Sequence, residues 1–242
     1  MFENYNLEKL KPELLDINTC DLTNDFVAIS VEVDENGLCC HSGLVICYEE
    51  ELSYFHYTAK DVVLEKLDIP LTQKAIFLKE LNCIHPLEVE SFLGHCEKLI
   101  EVGDSPVYGF IFNDSYYDST TKESFLVNTY HDITTCVGFC IKVIRGFLYN
   151  HDEYLKLSDW NISTLQGTNQ RLINYFNHEI NNYSILHEVS IAQLISIDEL
   201  KRITPTELLG SGFFENLPII KASIDAILNR LISDIIELRT VA

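Results

Sequence analysis

A chain of 242 residues, 47% hydrophobic and 22% charged, is long enough to bury a substantial core and too apolar for wholesale disorder. Its 37 acidic residues against 17 basic ones give a net charge of −20, and no Lys/Arg cluster breaks the pattern. This excludes nucleic-acid binding and docking to an anionic membrane, and it suits a basic protein partner. No uninterrupted apolar run approaches the roughly 18–20 residues that span a bilayer. The segment Met1–Asn6 lacks the basic and apolar parts of a secretory signal, so the eight cysteines read as reduced thiols in a cytoplasmic protein.

Residues 1–25 read as a polar lead-in with a short helix around Leu7–Leu15. Phe26–Val33 has the alternation and β-branching of a strand, and Asp34-Glu35-Asn36-Gly37 follows as a turn. Leu44–Tyr48 and Leu52–Tyr57 form a hairpin around the acidic turn Glu49-Glu50-Glu51. Residues 60–83 hold one or two less regular segments. Pro86 opens a helix over Leu87–Glu101 that stops near Gly103, with Phe92, Cys96, Leu99 and Ile100 on one face. Val107–Phe112 is an aromatic strand, 113–122 a polar loop, and Phe125–Asn128 a further short strand. A second helix runs from Thr135 to Leu148, with Cys140, Ile141, Ile144 and Phe147/Leu148 at helical spacing. Beyond Trp160 helical patterns dominate. The last, Ile219–Leu238, carries Ile220, Ile224, Ile227/Leu228, Leu231, Ile235 and Leu238 on one stripe, which packs against the domain or against a second copy of the chain as a homodimer. The expected division is a core over 1–160, lead-in included, and a helical C-terminal extension over 161–242.

Two positions carry chemistry. Cys136 stands where the second helix begins, behind Thr134 and Thr135, both acceptable N-cap residues. Unpaired amides at a helix N-terminus favour a thiolate, and a neighbouring imidazole can take the thiol proton. Gly138 leaves room for a substrate carbonyl, and the Cys136 amide can serve an oxyanion hole. His41 opens the strand Ser42–Ile46. If a two- or four-residue loop at Glu49-Glu50 closes the hairpin, position 41 lies opposite 58, and His56 falls diagonally on the same face as His41, able to fix its tautomer. A three-residue loop sends His56 to the other face. Against this stand structural readings: Cys136 as a core filler, His41 as a satisfied histidine, and His56 as one ring of an aromatic run. Cys140, in phase with Ile144, reads as core. No metal or cofactor is expected. Cys39, Cys40 and His41 are contiguous and make a poor tetrahedral chelate, and Asp114–Asp118 lacks the glycine and closing glutamate of an EF-hand.

The order of His on a strand, a second polar residue on the next strand, then Cys at a helix start resembles the circularly permuted papain-like cysteine hydrolases. That group includes the lecithin:retinol acyltransferase-like enzymes and permuted relatives of bacterial cell-wall peptidases. The matching pieces are His41-Ser42-Gly43-Leu44-Val45-Ile46, similar to a His-x-Gly-hydrophobic strand, and Thr135-Cys136-Val137-Gly138-Phe139, similar to a Thr/Asn-Cys-x-x-Phe helix start. A closer likeness is to uncharacterised bacterial members that add a strand histidine, a Pro-Tyr-Gly-aromatic segment and a Trp. Here these are His56, Pro106-Val107-Tyr108-Gly109-Phe110 and Trp160. The resemblance spans roughly residues 38–160. It implies an α+β papain-like core with an antiparallel sheet packed on the cysteine helix. It also implies Cys136 as nucleophile, His41 as base and His56 as orienting residue, with histidine in place of the more usual asparagine, glutamine or acid. The implied activity is hydrolysis or acyl transfer through a thioester, on a small-molecule, peptide or other acyl substrate carrying an amide or ester. The alternative is a non-catalytic acidic interaction protein, of immunity or adaptor type, on the same scaffold.

Overall fold

The structure, a computed structural model, describes residues 3–71, 74–102, 105–120 and 125–241. After a short helix α1 (Leu10–Glu13) come β1 (Leu15–Asp16), β2 (Phe26–Val33), β3 (Cys39–Tyr48), β4 (Glu51–Tyr57), β5 (Val62–Lys66) and β6 (Ala75–Glu80). They build one six-stranded antiparallel sheet in the order β1-β6-β2-β3-β4-β5. β2 lies near the centre and is covered on both faces: Val27, Ile29, Val31 and Val33 enter one apolar cluster, Phe26 and Ala28 another. Two-sided burial selects a nearly continuous run of apolar and β-branched residues, which is what FVAISVEV supplies.

β3 and β4 meet in a two-residue turn, with Tyr48 opposite Glu51. Glu49 and Glu50 both take positive φ, 50° and 63°. That handedness matches the twist of the flanking strands, and here it is reached without the Asn or Gly that usually supplies it. The resulting register sets Gly43 opposite His56, so His56 and His41 share a face. Residues 62–66 and 75–80, expected to be irregular, are strands. β6 pairs with both β1 and β2, while β5 forms the far edge against β4.

The helices α2 (Val89–Val102) and α3 (Cys136–Phe147) cover one face of the sheet. Phe92, Cys96 and Leu99 of α2 are buried there, whereas Ile100 is exposed. Phe139 of α3 meets Phe55 at 5.1 Å between ring centroids. Between these helices lie the short strands β7 (Val107–Tyr108), β8 (Tyr116–Tyr117), β9 (Leu126–Val127) and β10 (Ile133–Thr134). The aromatic strand expected over Val107–Phe112 is therefore cut to two residues. Ile111 instead makes an isolated bridge to Leu200. The chain continues through α4 (Gln170–Leu186), α5 (Ile191–Leu194), α6 (Pro205–Ser211) and α7 (Lys221–Val241). Leu208, Leu209, Ile224, Ile227, Leu231 and Ile235 join the same cluster as the sheet and α3, so α6 and α7 share that core. The C-terminal stripe thus packs within the chain. The stop expected near Gly103 lies outside the described residues. No helix among the described residues is long and apolar enough to cross a membrane.

α2 also brings a titratable ring into the interior. His95 is 5% exposed, its Nδ1 lies 2.7 Å from Ser119 Oγ, and burial holds its pKa down at about 4. The folded value lies below the unfolded one of about 6.5, so the contribution is complete above pH 6.5 and is lost as the pH falls toward 4. The loss is at most about 3 kcal/mol. His95→Gln keeps a polar partner for Ser119 and cannot titrate. Urea midpoints followed from pH 7 to pH 4 should therefore fall less steeply in that variant than in the wild type.

Candidate active site

The segment before α3 is tied down from several sides. Val107 donates to the Asp132 carbonyl at 2.7 Å and Gly109 to the Thr134 carbonyl at 3.0 Å, the β7–β10 pairing being parallel. The Asp132 carboxylate accepts from buried Lys142 at 2.8 Å and from the Tyr117 hydroxyl at 2.8 Å. Tyr57, on β4, donates to the Pro106 carbonyl at 2.6 Å and so pins β7 to the sheet. Thr135 is the N-cap, its extended backbone (φ −97°, ψ 174°) letting Oγ1 accept from Gly138 N–H at 3.2 Å. Cys136 is the first residue of the helix. Thr135→Ala removes this cap and should cost about 1 kcal/mol of stability, read from a denaturant midpoint. Gly138 is needed for close packing: a Cβ there would lie 2.4 Å from Thr134 Oγ1 and 3.2 Å from the Phe112 ring.

The thiol of Cys136 is half-buried and meets the backbone amide of Ser42 on β3. That amide belongs to the peptide unit immediately after His41. Ser42, Leu44 and Ile46 alternate with His41, Gly43 and Val45, and Leu44 and Ile46 lie in the cluster that contains α3. His41 thus takes the other face of the strand, while Cys136 packs with the cluster on the α3 face. Among the described residues no hydrogen bond joins Cys136 directly to His41. The two histidines are brought together: His41 Nε2 lies 2.9 Å from His56 Nδ1, with the rings edge to face.

Further residues shape this site. Tyr54 stacks on His56, centroids 4.2 Å apart and planes 10° from parallel. It can do so because Gly43 has no side chain; a Cβ there would lie 2.3 Å from the Tyr54 ring. Glu32 on β2 stands opposite His41, receives the Tyr54 hydroxyl at 3.5 Å and pairs with Lys74 at 2.8 Å. Glu65 on β5 lies 3.6 Å from His56 Nε2. Ser42 Oγ is fully buried without a hydrogen-bond partner, a donor left inside the sheet beside the amide that meets Cys136. Tyr54 was readable from sequence as the same-face neighbour of His56 in alternation. Glu32 was not, because a bulge at Glu32/Val33 shifts the β2–β3 pairing just where His41 sits.

The thiol and the two imidazoles rest uncharged. Burial pushes the Cys136 thiol up to about 11, partly offset by the amides of Ser42, Val137 and Cys136 itself. Burial likewise holds His41 down at about 4, with Glu32 pulling the other way, and lowers His56. At pH 7 the thiol is therefore protonated and the two imidazoles are neutral. Trp160 lies away from these groups, buried between α6 and α7, its Nε1–H donated to Glu207 at 2.9 Å and Lys221 over its ring. Phe112, which touches Gly138, lines with Trp160, Leu157 and Lys201 a cavity of about 630 Å³. Among the described residues no group of three or more His, Cys, Asp or Glu side chains is placed to hold a metal ion. Compared with known proteins, the chain matches no family model, no curated protein and no solved structure.

Proposed function

We propose that this protein is a cysteine hydrolase or acyltransferase built on a circularly permuted papain-like plan, acting through a thioester. The observation that carries the reading is the seat of the Cys136 thiol at the start of α3, on the amide that follows His41, whose ring is hydrogen-bonded to His56. His41 takes the thiol proton as sulfur attacks the carbonyl carbon of an amide or ester. The carbonyl electrons move to oxygen, and the Cys136 N–H in the first helical turn can donate a hydrogen bond to that oxyanion. Collapse breaks the bond to the leaving amine or alcohol, which leaves with the proton from His41. Water or an acceptor amine then gives its proton to His41 and attacks the thioester, and the thiol is restored.

A second reading, a non-catalytic acidic interaction protein, is favoured by the elevated thiol pKa of about 11. A thiol-directed activity probe applied at neutral pH to wild type, Cys136→Ala and His41→Ala separates the two. Selective labelling of Cys136 that depends on His41 supports the enzyme. Wild-type labelling no faster than that of a buried unassisted thiol sinks it.

A further inference from the structure

The two imidazoles leave one question of proton placement, and a third strand answers it. His41 Nε2 and His56 Nδ1 are 2.9 Å apart, so one ring carries the proton between them and the other supplies the lone pair. If His56 held its proton on Nδ1, its Nε2 lone pair would face the Glu65 carboxylate, 3.6 Å away. Lone pair against carboxylate is repulsive, whereas an N–H on Nε2 is attracted. We propose that Glu65 is a positioning residue that fixes the tautomers of both histidines, so that His41 presents an unprotonated Nδ1 as the base for Cys136.

With Nε2–H of His56 turned toward Glu65, Nδ1 of His56 must accept, and His41 must donate from Nε2. A neutral His41 then has its lone pair on Nδ1, the ring nitrogen next to its own backbone. The peptide unit leaving that backbone toward Ser42 is the one whose amide meets the Cys136 thiol. Glu65 therefore sets at a distance, through two rings, which nitrogen of His41 carries the lone pair. Glu32, opposite His41 on β2 and paired with Lys74 at 2.8 Å, bears by its charge on both rings and accepts from the Tyr54 hydroxyl. The role of Glu65 as an aid to catalysis rests on the cysteine-hydrolase reading; its setting of the tautomers does not.

The test uses the full chain, with imidazole ¹⁵N spectra assigned through His41→Gln and His56→Gln. The wild type should show His41 Nδ1 and His56 Nδ1 pyridine-like, with both Nε2 atoms pyrrole-like. Glu65→Gln can still accept the His56 N–H through its amide oxygen and should keep that pattern. Glu65→Lys presents a donor to Nε2 and should invert it, slowing chloroacetamide labelling of Cys136 by about tenfold while Glu65→Gln stays within about twofold. Glu65 is half-exposed on the edge strand, so these variants should keep the fold, as far-UV circular dichroism would verify. Unchanged tautomers in Glu65→Lys overturn the proposal even if Cys136 proves reactive. Inverted tautomers with a Cys136 that never reacts uphold the tautomer assignment and remove the enzyme reading instead.

Discussion

His41→Ala lowers the rate at which a chloroacetamide probe labels Cys136 at pH 7 by about 10²–10⁴-fold, the usual range for loss of a positioned general base. The expectation follows from the resting protonation states. A thiol held at about 11 is about one part in 10⁴ thiolate at pH 7, and its unassisted labelling should climb about tenfold per pH unit through pH 7–10. If His41 removes the proton as sulfur attacks, the wild-type profile is instead nearly flat above pH 6, because His41 with a pKa of about 4 is already unprotonated there. His41→Ala should restore the steep climb, and Cys136→Ala should abolish labelling at this position at every pH. A wild type that follows the steep line, indistinguishable from His41→Ala, would leave Cys136 a core thiol. The shape of the profile matters more than any single rate, since a structural defect shifts a curve without changing its slope.

The largest stability effect is expected at Gly146→Ala. Near its C-terminal end α3 lies so close to β8 that a Cβ on Gly146 would fall 1.7 Å from the Tyr117 carbonyl oxygen and 2.7 Å from its carbon. Both are backbone atoms, so no side-chain rotation relieves the clash; the helix or the strand must move. Tyr117 is also the donor to Asp132, and Asp132 holds Lys142, so a shift of β8 strains the network that seats the start of α3. The expected cost is about 3 kcal/mol or more, which for a chain of this length lowers Tm by about 6–12 °C. Gly94→Ala is the control: in the middle of α2 its Cβ meets nothing within 4 Å, and it should stabilise by about 0.5–1 kcal/mol. A Gly146→Ala protein that melts within 2 °C of wild type would mean that α3 and β8 are not packed this closely.

How much of this was legible depends on which force set each element. β2 was readable to the residue because its alternation and β-branched residues mark a strand, and α3 because Thr135 caps it and Val137, Cys140, Ile141 and Ile144 repeat at helical spacing. The hairpin register was readable as a condition on loop length. A two-residue turn at Glu49-Glu50 sends His56 to the face of His41, and this turn forms although neither residue favours positive φ. The strength of the flanking strands decides there, not turn propensity. β5 and β6 were hidden for different reasons. β5 is an edge strand with charged, exposed residues at its end, and β6 ends in Lys79-Glu80, where Lys79 is buried against Glu13 and the Phe213 ring. A lysine buried by partners distant in sequence looks like a loop residue until those partners are in place. The same limit applies to the site. His41 and His56 could be paired on one hairpin, but Glu32 and Glu65 come from other strands and only the folded sheet brings them to the pair, and the seat of Cys136 on the Ser42 amide needs α3 packed on β3.

The position of β5 at the end of the sheet has a consequence for solution behaviour. A terminal strand offers unpaired amides and carbonyls to any other extended chain, and charged side chains are the common deterrent to such edge-on association. Glu65 and Lys66 occupy the last two positions of that strand, with Lys66 paired to Glu51 at the start of β4. Replacing these charges with apolar residues would therefore act on colloidal stability as well as on the imidazoles one strand away. A loss of labelling in such a variant has to be read beside its sedimentation profile, since a chain drawn into edge-paired aggregates loses its reactive thiol to occlusion before any change in proton placement is felt.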